Sequence, residues 1–483
     1  MNPYSRLVPR LNGAEIEDRF DYYLGLARKG VAGFIVFGGE IETVREGIKK
    51  LQRASANPLI IASDLEQGLG QQIHGGTIFP PAMAIASAIA SQYHPLDKEG
   101  SEGGWSSNLN LLRRTFDAFA VEARYAGINT IFAPVLDINT NPDNPIIATR
   151  AFGEDPETVS LFGCEMVRVL QENGIIACGK HFPGHGDTEI DSHMTLPVVR
   201  KELSSLENVE LVPFRDAIRE GVKMIMLGHL SVPAIDPSGE PATISPRIIS
   251  CLRSEMEFKG TVISDAMNMG ALAGYDEDKA SLMALDAGVD IILHPSDPDR
   301  TASYLLRKKW EPGPLKRFVL PGEQEDSPDF SGHQRLSDEL ARMAVTFKGK
   351  EDMRLSKPFL IVLKEDKEGK GSFFVSAMRQ RYSDIGHVEI APGDNIPLSQ
   401  IPGDCDLLVA IFSKIRAWKG GPSAWLLSAV EALDKPTTTF ISFGNPYVLR
   451  RISRGSRIFA YWDARSAQEA VAEILTSNKR GKR

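Results

Sequence analysis

Cysteine is scarce, with only Cys164, Cys178, Cys251 and Cys405 in 483 residues, all far apart and none in a C-x-x-C pair. That excludes a disulfide framework and a cysteine-rich zinc cluster, and it predicts buried, reduced thiols of the cytosolic kind. No stretch approaches about 18 consecutive apolar residues, so no membrane-spanning helix is expected. Met1 to Gly13 lacks the charged segment and apolar core of a secretory leader. The expectation is therefore a cytoplasmic protein without a membrane partner. Positive charge is not in excess either. A net charge of −8 with no basic stripe excludes nucleic acid as a partner, and the one basic cluster, Lys479-Arg480-Gly481-Lys482-Arg483, reads as a frayed tail. Internal repeats and low-complexity tracts are absent.

The rest of the composition is that of a globular enzyme, 42% hydrophobic and 24% charged, in a chain too long for one ordinary domain. Near-continuous apolar runs alternate with segments of helical periodicity. Candidate strands are Leu7 to Leu11, Gly33 to Gly39, Pro58 to Ser63, Ile128 to Val135, Gly174 to Cys178, Val222 to His229, Gly260 to Asp265 and Val289 to Leu293. Eight such units within about 300 residues predict an α/β fold, a (β/α)8 TIM-type barrel over residues 1–310. Proline, glycine and charge then mark a helical linker over 311–355, with a helix from Arg335 to Lys348. A smaller α/β sandwich domain over 356–483 follows, with strands beginning at Pro358, Leu407, Thr438 and Arg457 and helices Ser423 to Leu433 and Ala467 to Thr476. Ser91 to Ser107, rich in glycine and serine, reads as an exposed loop before an amphipathic helix from Leu109 to Ala126. The Trp418 to Pro422 stretch reads as a surface turn.

The chemistry concentrates in Gly179 to His193. Three glycines and a proline follow an apolar run there, so Lys180, three histidines and two aspartates must lie on a strand end and an irregular loop. Barrel enzymes keep their chemistry in such places. Asp191 and His193 are two residues apart, which in an extended segment puts them on one side. A carboxylate beside an imidazole fixes its tautomer and favours its charged form, giving a tuned acid/base. Two further readings stay open: a structural histidine, and a metal site from His181, His185, Asp187 and His193, although the spacing matches no helical zinc motif. Asp64 and Asp265 each end an apolar strand. Either can grip or attack a sugar at the barrel mouth, or simply cap the next helix.

These residues carry a resemblance. Ser63-Asp64-Leu65-Glu66, Phe132 to Asp137 with Asn139 to Pro142, Thr149 to Pro156, Lys180 to His193, Ile263 to Met267 and Ser442 to Tyr447 make the chain similar to the bacterial β-N-acetylglucosaminidase branch of glycoside hydrolase family 3, in its two-domain form. The resemblance implies a retaining exo-β-N-acetylglucosaminidase that needs neither cofactor nor metal. Asp265 would be the nucleophile, His193 the acid/base and Asp191 its orienting partner. Asp64, Arg150, Lys180 and His181 would hold the hydroxyls of the terminal sugar, from a GlcNAc-containing oligosaccharide or muropeptide. An imidazole would then stand where retaining enzymes ordinarily use a second carboxylate, with Lys180 helping to keep Asp265 ionised. The chain departs from the branch at Gln67 and Gln72, where a glycine and an arginine are usual. Phosphorolysis, a β-glucosidase or β-xylosidase activity and a non-catalytic sugar-binding barrel are the alternatives.

Overall fold

A computed structural model describes residues 2–90, 102–311, 313, 326–349, 355–365, 370–396, 398–414 and 421–476. The chain divides into two compact units: Met1–Phe79, Arg113–Ile147 and Ala151–Gln334 form one, and Pro80–Leu112, Ala148–Arg150 and Arg335–Arg483 the other.

The first unit is built on nine parallel strands: β1 (Leu7–Val8), β2 (Arg10–Asn12), β3 (Gly33–Phe37), β4 (Ile60–Ser63), β5 (Thr130–Ile131), β6 (Ile176–Phe182), β7 (Met224–Leu227), β8 (Thr261–Ala266) and β9 (Ile291–Leu293). The strand expected over Leu7 to Leu11 is thus two short pieces, divided at Pro9. Proline has no N–H to give to a ladder, and the chain changes partner around it. The Val8 carbonyl accepts the His294 N–H at 2.8 Å, while the Pro9 carbonyl accepts the Ile35 N–H at 3.0 Å. β1 pairs with β9 and β2 with β3, so this one stretch joins the two ends of the sheet and closes the barrel.

Alternation along the strands fills the interior. Ile60 and Ala62, Ile176 and Cys178, and Met224 and Met226 are i, i+2 pairs that meet in one buried cluster. Between strands run amphipathic helices whose ends follow local rules. Helix Pro156–Glu172, for example, begins with Asp155 accepting the Thr158 N–H at 2.8 Å and with proline in its first turn, a cap worth about 1 kcal/mol.

The second unit holds a six-stranded sheet ordered β10 (Thr346–Lys348), β15 (Ser456–Phe459), β14 (Thr438–Gly444), β13 (Asp406–Ser413), β11 (Pro358–Lys364) and β12 (Gly386–Ile390). All pairs but β10–β15 are parallel. Successive residues of β11 and β13 face opposite cores. Leu360, Val362 and Leu408 pack with Phe374 and Val471, while Ile361, Leu363 and Val409 pack with Leu426 and Val430. Helices thus cover both faces of a parallel sheet.

Three expectations need correction. The loop expected from Ser91 to Ser107 is helical from residue 102, inside helix Glu102–Tyr125. A glycine pair costs a helix about 2 kcal/mol relative to alanine, but propagation from the amphipathic half spares it the larger cost of a new nucleus. The helix expected from Arg335 to Lys348 runs Phe330–Ala344, and its last residues form β10 instead. Edge strand β12 and helix Ser372–Arg381 carry too weak an apolar pattern to be read in advance. Residues 91–101, 418–420 and 479–483, on which the loop, the surface turn and the tail were expected, lie outside the described residues. Among the described residues no helix is long and apolar enough to cross a membrane.

Candidate active site

The inward-facing series continues beyond the apolar layer. Ile60 and Ala62 lead to Asp64, Ile176 and Cys178 lead to Lys180, and Ile263 leads to Asp265. The same parity that fills the barrel with hydrocarbon thus raises two carboxylates and an ammonium at its C-terminal mouth. The β6–β7 and β8–β9 ladders shift register at this level, between Gly179 and Phe182 and between Ile263 and Ala266. Irregularities of this kind re-aim side chains beside active sites.

Lys180 is only 2% exposed and sits between two acids, with Nζ 2.8 Å from Asp64 Oδ1 and 2.6 Å from Glu66 Oε1. Asp64 is the open member of the trio, its side chain 29% exposed against 9% for Glu66. Removing the buried ammonium would leave the carboxylates uncompensated, at a cost of about 3–5 kcal/mol.

His181 is positioned by a residue given no role in the sequence. Asp137, buried after the β5 segment, takes the His181 ring Nδ1 at 2.7 Å and the backbone N–H groups of His181 at 3.2 Å and His185 at 2.7 Å. Burial alone would raise the Asp137 pKa, but His181 and the other donors outweigh it and hold the carboxyl below its ordinary range. The ring proton of His181 is thereby fixed on Nδ1.

The loop after β6 brings Asp191 and His193 together, although not by extended alternation. Asp191 Oδ1 accepts both the His193 backbone N–H at 2.9 Å and its ring Nδ1–H at 2.8 Å, in an Asx-type turn. Asp191 is 1% exposed, whereas the His193 side chain is 25% exposed, and its Nε2 is the nitrogen not engaged by Asp191. The loop is tied down on three sides. His185 bridges Thr188 Oγ1 at 2.8 Å and Ser192 Oγ at 2.9 Å, and Asn144 donates to the His185 carbonyl at 2.9 Å. The third tie comes from the turn that follows β8, where Gly270 and Ala271 donate backbone N–H groups to the carbonyls of His193 and Ser192. Gly270 is required there, because a Cβ would stand 2.4 Å from the His193 carbonyl oxygen.

Asp265 is half-buried at the end of β8 and accepts the Ala266 N–H at 2.7 Å. Burial pushes its pKa up, yet the field of His181, with the Ala266 N–H and His193, brings it below the usual carboxylate range. His229 is the next lowering influence after His181. It is fully buried, burial pushes its own pKa down, and it gives Nε2–H to the Ala266 carbonyl at 3.0 Å while Nδ1 takes the Thr243 hydroxyl at 2.7 Å. One neutral tautomer satisfies both bonds, so His229 braces the backbone under Asp265. Lys180, expected to keep Asp265 ionised, is engaged by Asp64 and Glu66.

Asp64, Lys180, His181, Asp191, His193 and Asp265 all lie in the first unit. Arg150 closes the short turn Ala148–Arg150, which groups with the second unit. The residues weighed as a metal set are not assembled as one: among the described residues no three His, Cys, Asp or Glu side chains are grouped to hold an ion, and both ring nitrogens of His185 are taken, by Thr188 and Ser192. Gln67, one of the departures from the branch pattern, folds onto its own segment by donating to the Phe79 carbonyl at 3.0 Å. Glu66, Asp137 and His229 are the functional neighbours that sequence reasoning passed over.

The glycosyl hydrolase family 3 N terminal domain matches residues 15–310. Beta-hexosaminidase A of Pseudoalteromonas piscicida is 32% identical over 293 residues, which are 56% of this chain and 46% of that protein, so the chain spans about half that relative's length. The beta-hexosaminidase of Nitrosomonas eutropha is 31% identical over 286 residues, 58% of this chain and 78% of the relative. Among solved structures, a glycoside hydrolase family 3 beta-N-acetylglucosaminidase from a Paenibacillus species is 26% identical with a TM-score of 0.75, covering 98% of this chain and 95% of the other.

Proposed function

The chain belongs to glycosyl hydrolase family 3, and from that premise we propose that it is a retaining exo-β-N-acetylglucosaminidase acting on terminal GlcNAc of peptidoglycan-derived fragments. The observation that carries the proposal is the pairing of an ionised Asp265 with a carboxylate-held, partly exposed His193 on a loop docked to the turn after the Asp265 strand. Relatives named beta-hexosaminidase and beta-N-acetylglucosaminidase support the choice of sugar.

The roles follow from the chemistry of the groups. Asp265 attacks the anomeric carbon as the glycosidic C–O bond breaks, and His193 Nε2–H gives its proton to the departing oxygen. The sugar is then held as an ester of Asp265. Water attacks the same carbon, passes its proton to His193 and releases Asp265 with the anomeric configuration retained. Asp191 keeps the proton on Nδ1 throughout, so Nε2 does both transfers. Asp64, Lys180 and His181 take the sugar's hydroxyls by charge-assisted hydrogen bonds. Four free thiols support a reducing compartment, the cytoplasm.

The test is turnover of a fluorogenic β-N-acetylglucosaminide beside the β-glucoside, in an uncharged buffer and in phosphate, with trapping by a 5-fluoro glycoside. Expected are preference for the N-acetyl sugar, hydrolysis unaffected by phosphate, and a covalent label on the peptide carrying Asp265. Preference for the glucoside overturns the specificity, and phosphate-dependent turnover with a sugar phosphate product overturns hydrolysis. A label elsewhere overturns the nucleophile.

A further inference from the structure

His294 breaks the rule that places its neighbours. Leu293 faces the barrel interior, so in a regular strand the next side chain would face away. His294 instead adopts φ +49, a left-handed conformation uncommon outside glycine. Its ring consequently lies 6.3 Å from that of Phe37, the residue that continues the inward series after Ile35 at the end of β3. Arg10 covers the same Phe37 ring, its guanidinium carbon 5.0 Å from the centroid. Among the described residues the His294 ring makes no hydrogen bond, although it is half-buried. Burial first, then Arg10, push its pKa down against the pull of Asp64, to about 4. At neutral pH it is an uncharged imidazole beside the sugar-facing carboxylate, with one nitrogen to donate and one to accept.

Going round the barrel from β8 to β4 there are two routes. One passes β7, β6 and β5 and carries Lys180 and His181; the other passes β9, β1, β2 and β3 and carries His294 and Phe37. A pyranose seated with its anomeric carbon at Asp265 and its far end at Asp64 also has two flanks. One bears the C3 hydroxyl and the 2-acetamido group, which suit the charged donors of β6. The other bears only the hydroxymethyl arm at C5, a methylene with a single hydroxyl.

We propose that His294 and Phe37 form the wall that receives the hydroxymethyl arm of the terminal sugar, with Phe37 against the methylene and the His294 imidazole hydrogen-bonded to O6. The proposal rests on the reading of Asp265 and Asp64 given above. It makes His294 a specificity-determining residue for hexoses over sugars lacking that hydroxyl.

The test compares kcat/KM on 4-methylumbelliferyl β-N-acetylglucosaminide and its 6-deoxy analogue for the wild type, His294→Gly and His294→Gln, with thermal melting recorded beside each assay. Glycine accepts φ +49 without strain, so the ring is removed while the backbone keeps its turn. The wild type is expected to favour the parent substrate. His294→Gly should lose about tenfold on the parent and little on the analogue, erasing the preference. His294→Gln, which keeps a donor and an acceptor, should restore part of it. Equal loss on both substrates would make His294 a structural residue and overturn the proposal, as would an unchanged ratio. A wild type inactive on both substrates overturns the underlying reading of the site and this inference with it, and is distinguished from the other failures by needing no variant.

Discussion

Asp265 and Lys180 stand on strands of a closed barrel, whereas His193 stands on an irregular loop held at a few points. On the strand side Lys180 is 2% exposed, and hydrogen-bond ladders run on both sides of its strand. On the loop side, Ile190 and Met194 flank the dyad with 46% and 58% of their surface open to solvent. The difference matches the proposed duties. A nucleophile acts at one carbon and gains from immobility, because misplacement by about 1 Å can cost on the order of 10²-fold in rate. An acid/base must serve a leaving oxygen and then a water, and a loop gives it freedom between steps.

That contrast can be broken by experiment, beginning with the nucleophile. Asp265→Ala should lower kcat by on the order of 10⁵-fold on every substrate, whatever the leaving group, as steady-state kinetics would show. His193→Ala should lower kcat/KM by about 10²–10⁴-fold on an alkyl glycoside and hardly at all on a dinitrophenyl glycoside, whose oxygen departs without a proton. Equal losses on the two would remove the acid role. Gly270→Ala tests the anchor rather than the dyad. The added methyl displaces the His193 carbonyl, and a loss of about 10²-fold is expected, again confined to poor leaving groups.

Asp137→Asn should act on stability. The Asp137 pKa is depressed in the fold, so its stabilisation is fully present above about pH 4, the ordinary value, and is lost as pH falls through the folded value. The variant should therefore melt earlier at pH 7, by a deficit of about 3 kcal/mol, and converge with the wild type in acid. The smallest effect is expected for His185→Ala, about tenfold on poor leaving groups, since Asn144 and Gly270 still hold the loop.

Much of this is legible in the sequence. Apolar runs with glycine and proline between them announce the barrel, and a period of two along each run is enough to set Asp64, Lys180 and Asp265 at its mouth. Asp191 and His193 are two apart in sequence and hydrogen-bonded in the fold, but a turn rather than the expected extended strand joins them. Asp137 was invisible as a hub, because it meets His181 across 44 residues of sequence and no local pattern reports such a contact. His229 was hidden in the same way, since its partners Thr243 and Ala266 lie on later elements. Glu66 lies in the Ser63-Asp64-Leu65-Glu66 stretch, yet only the fold shows it sharing Lys180 with Asp64.

The division of the first strand at Pro9 also has a consequence in time. Leu7 finds its partner in Ile292, so the first strand made waits for the last one before the ring is complete. At roughly 5–20 residues per second the ribosome takes about 15 s to 1 min to deliver that partner. Throughout that interval Val8 and Leu11, both fully buried in the finished protein, belong to an open edge. The nascent barrel accordingly carries an unpaired, aggregation-prone edge until Leu293 has emerged.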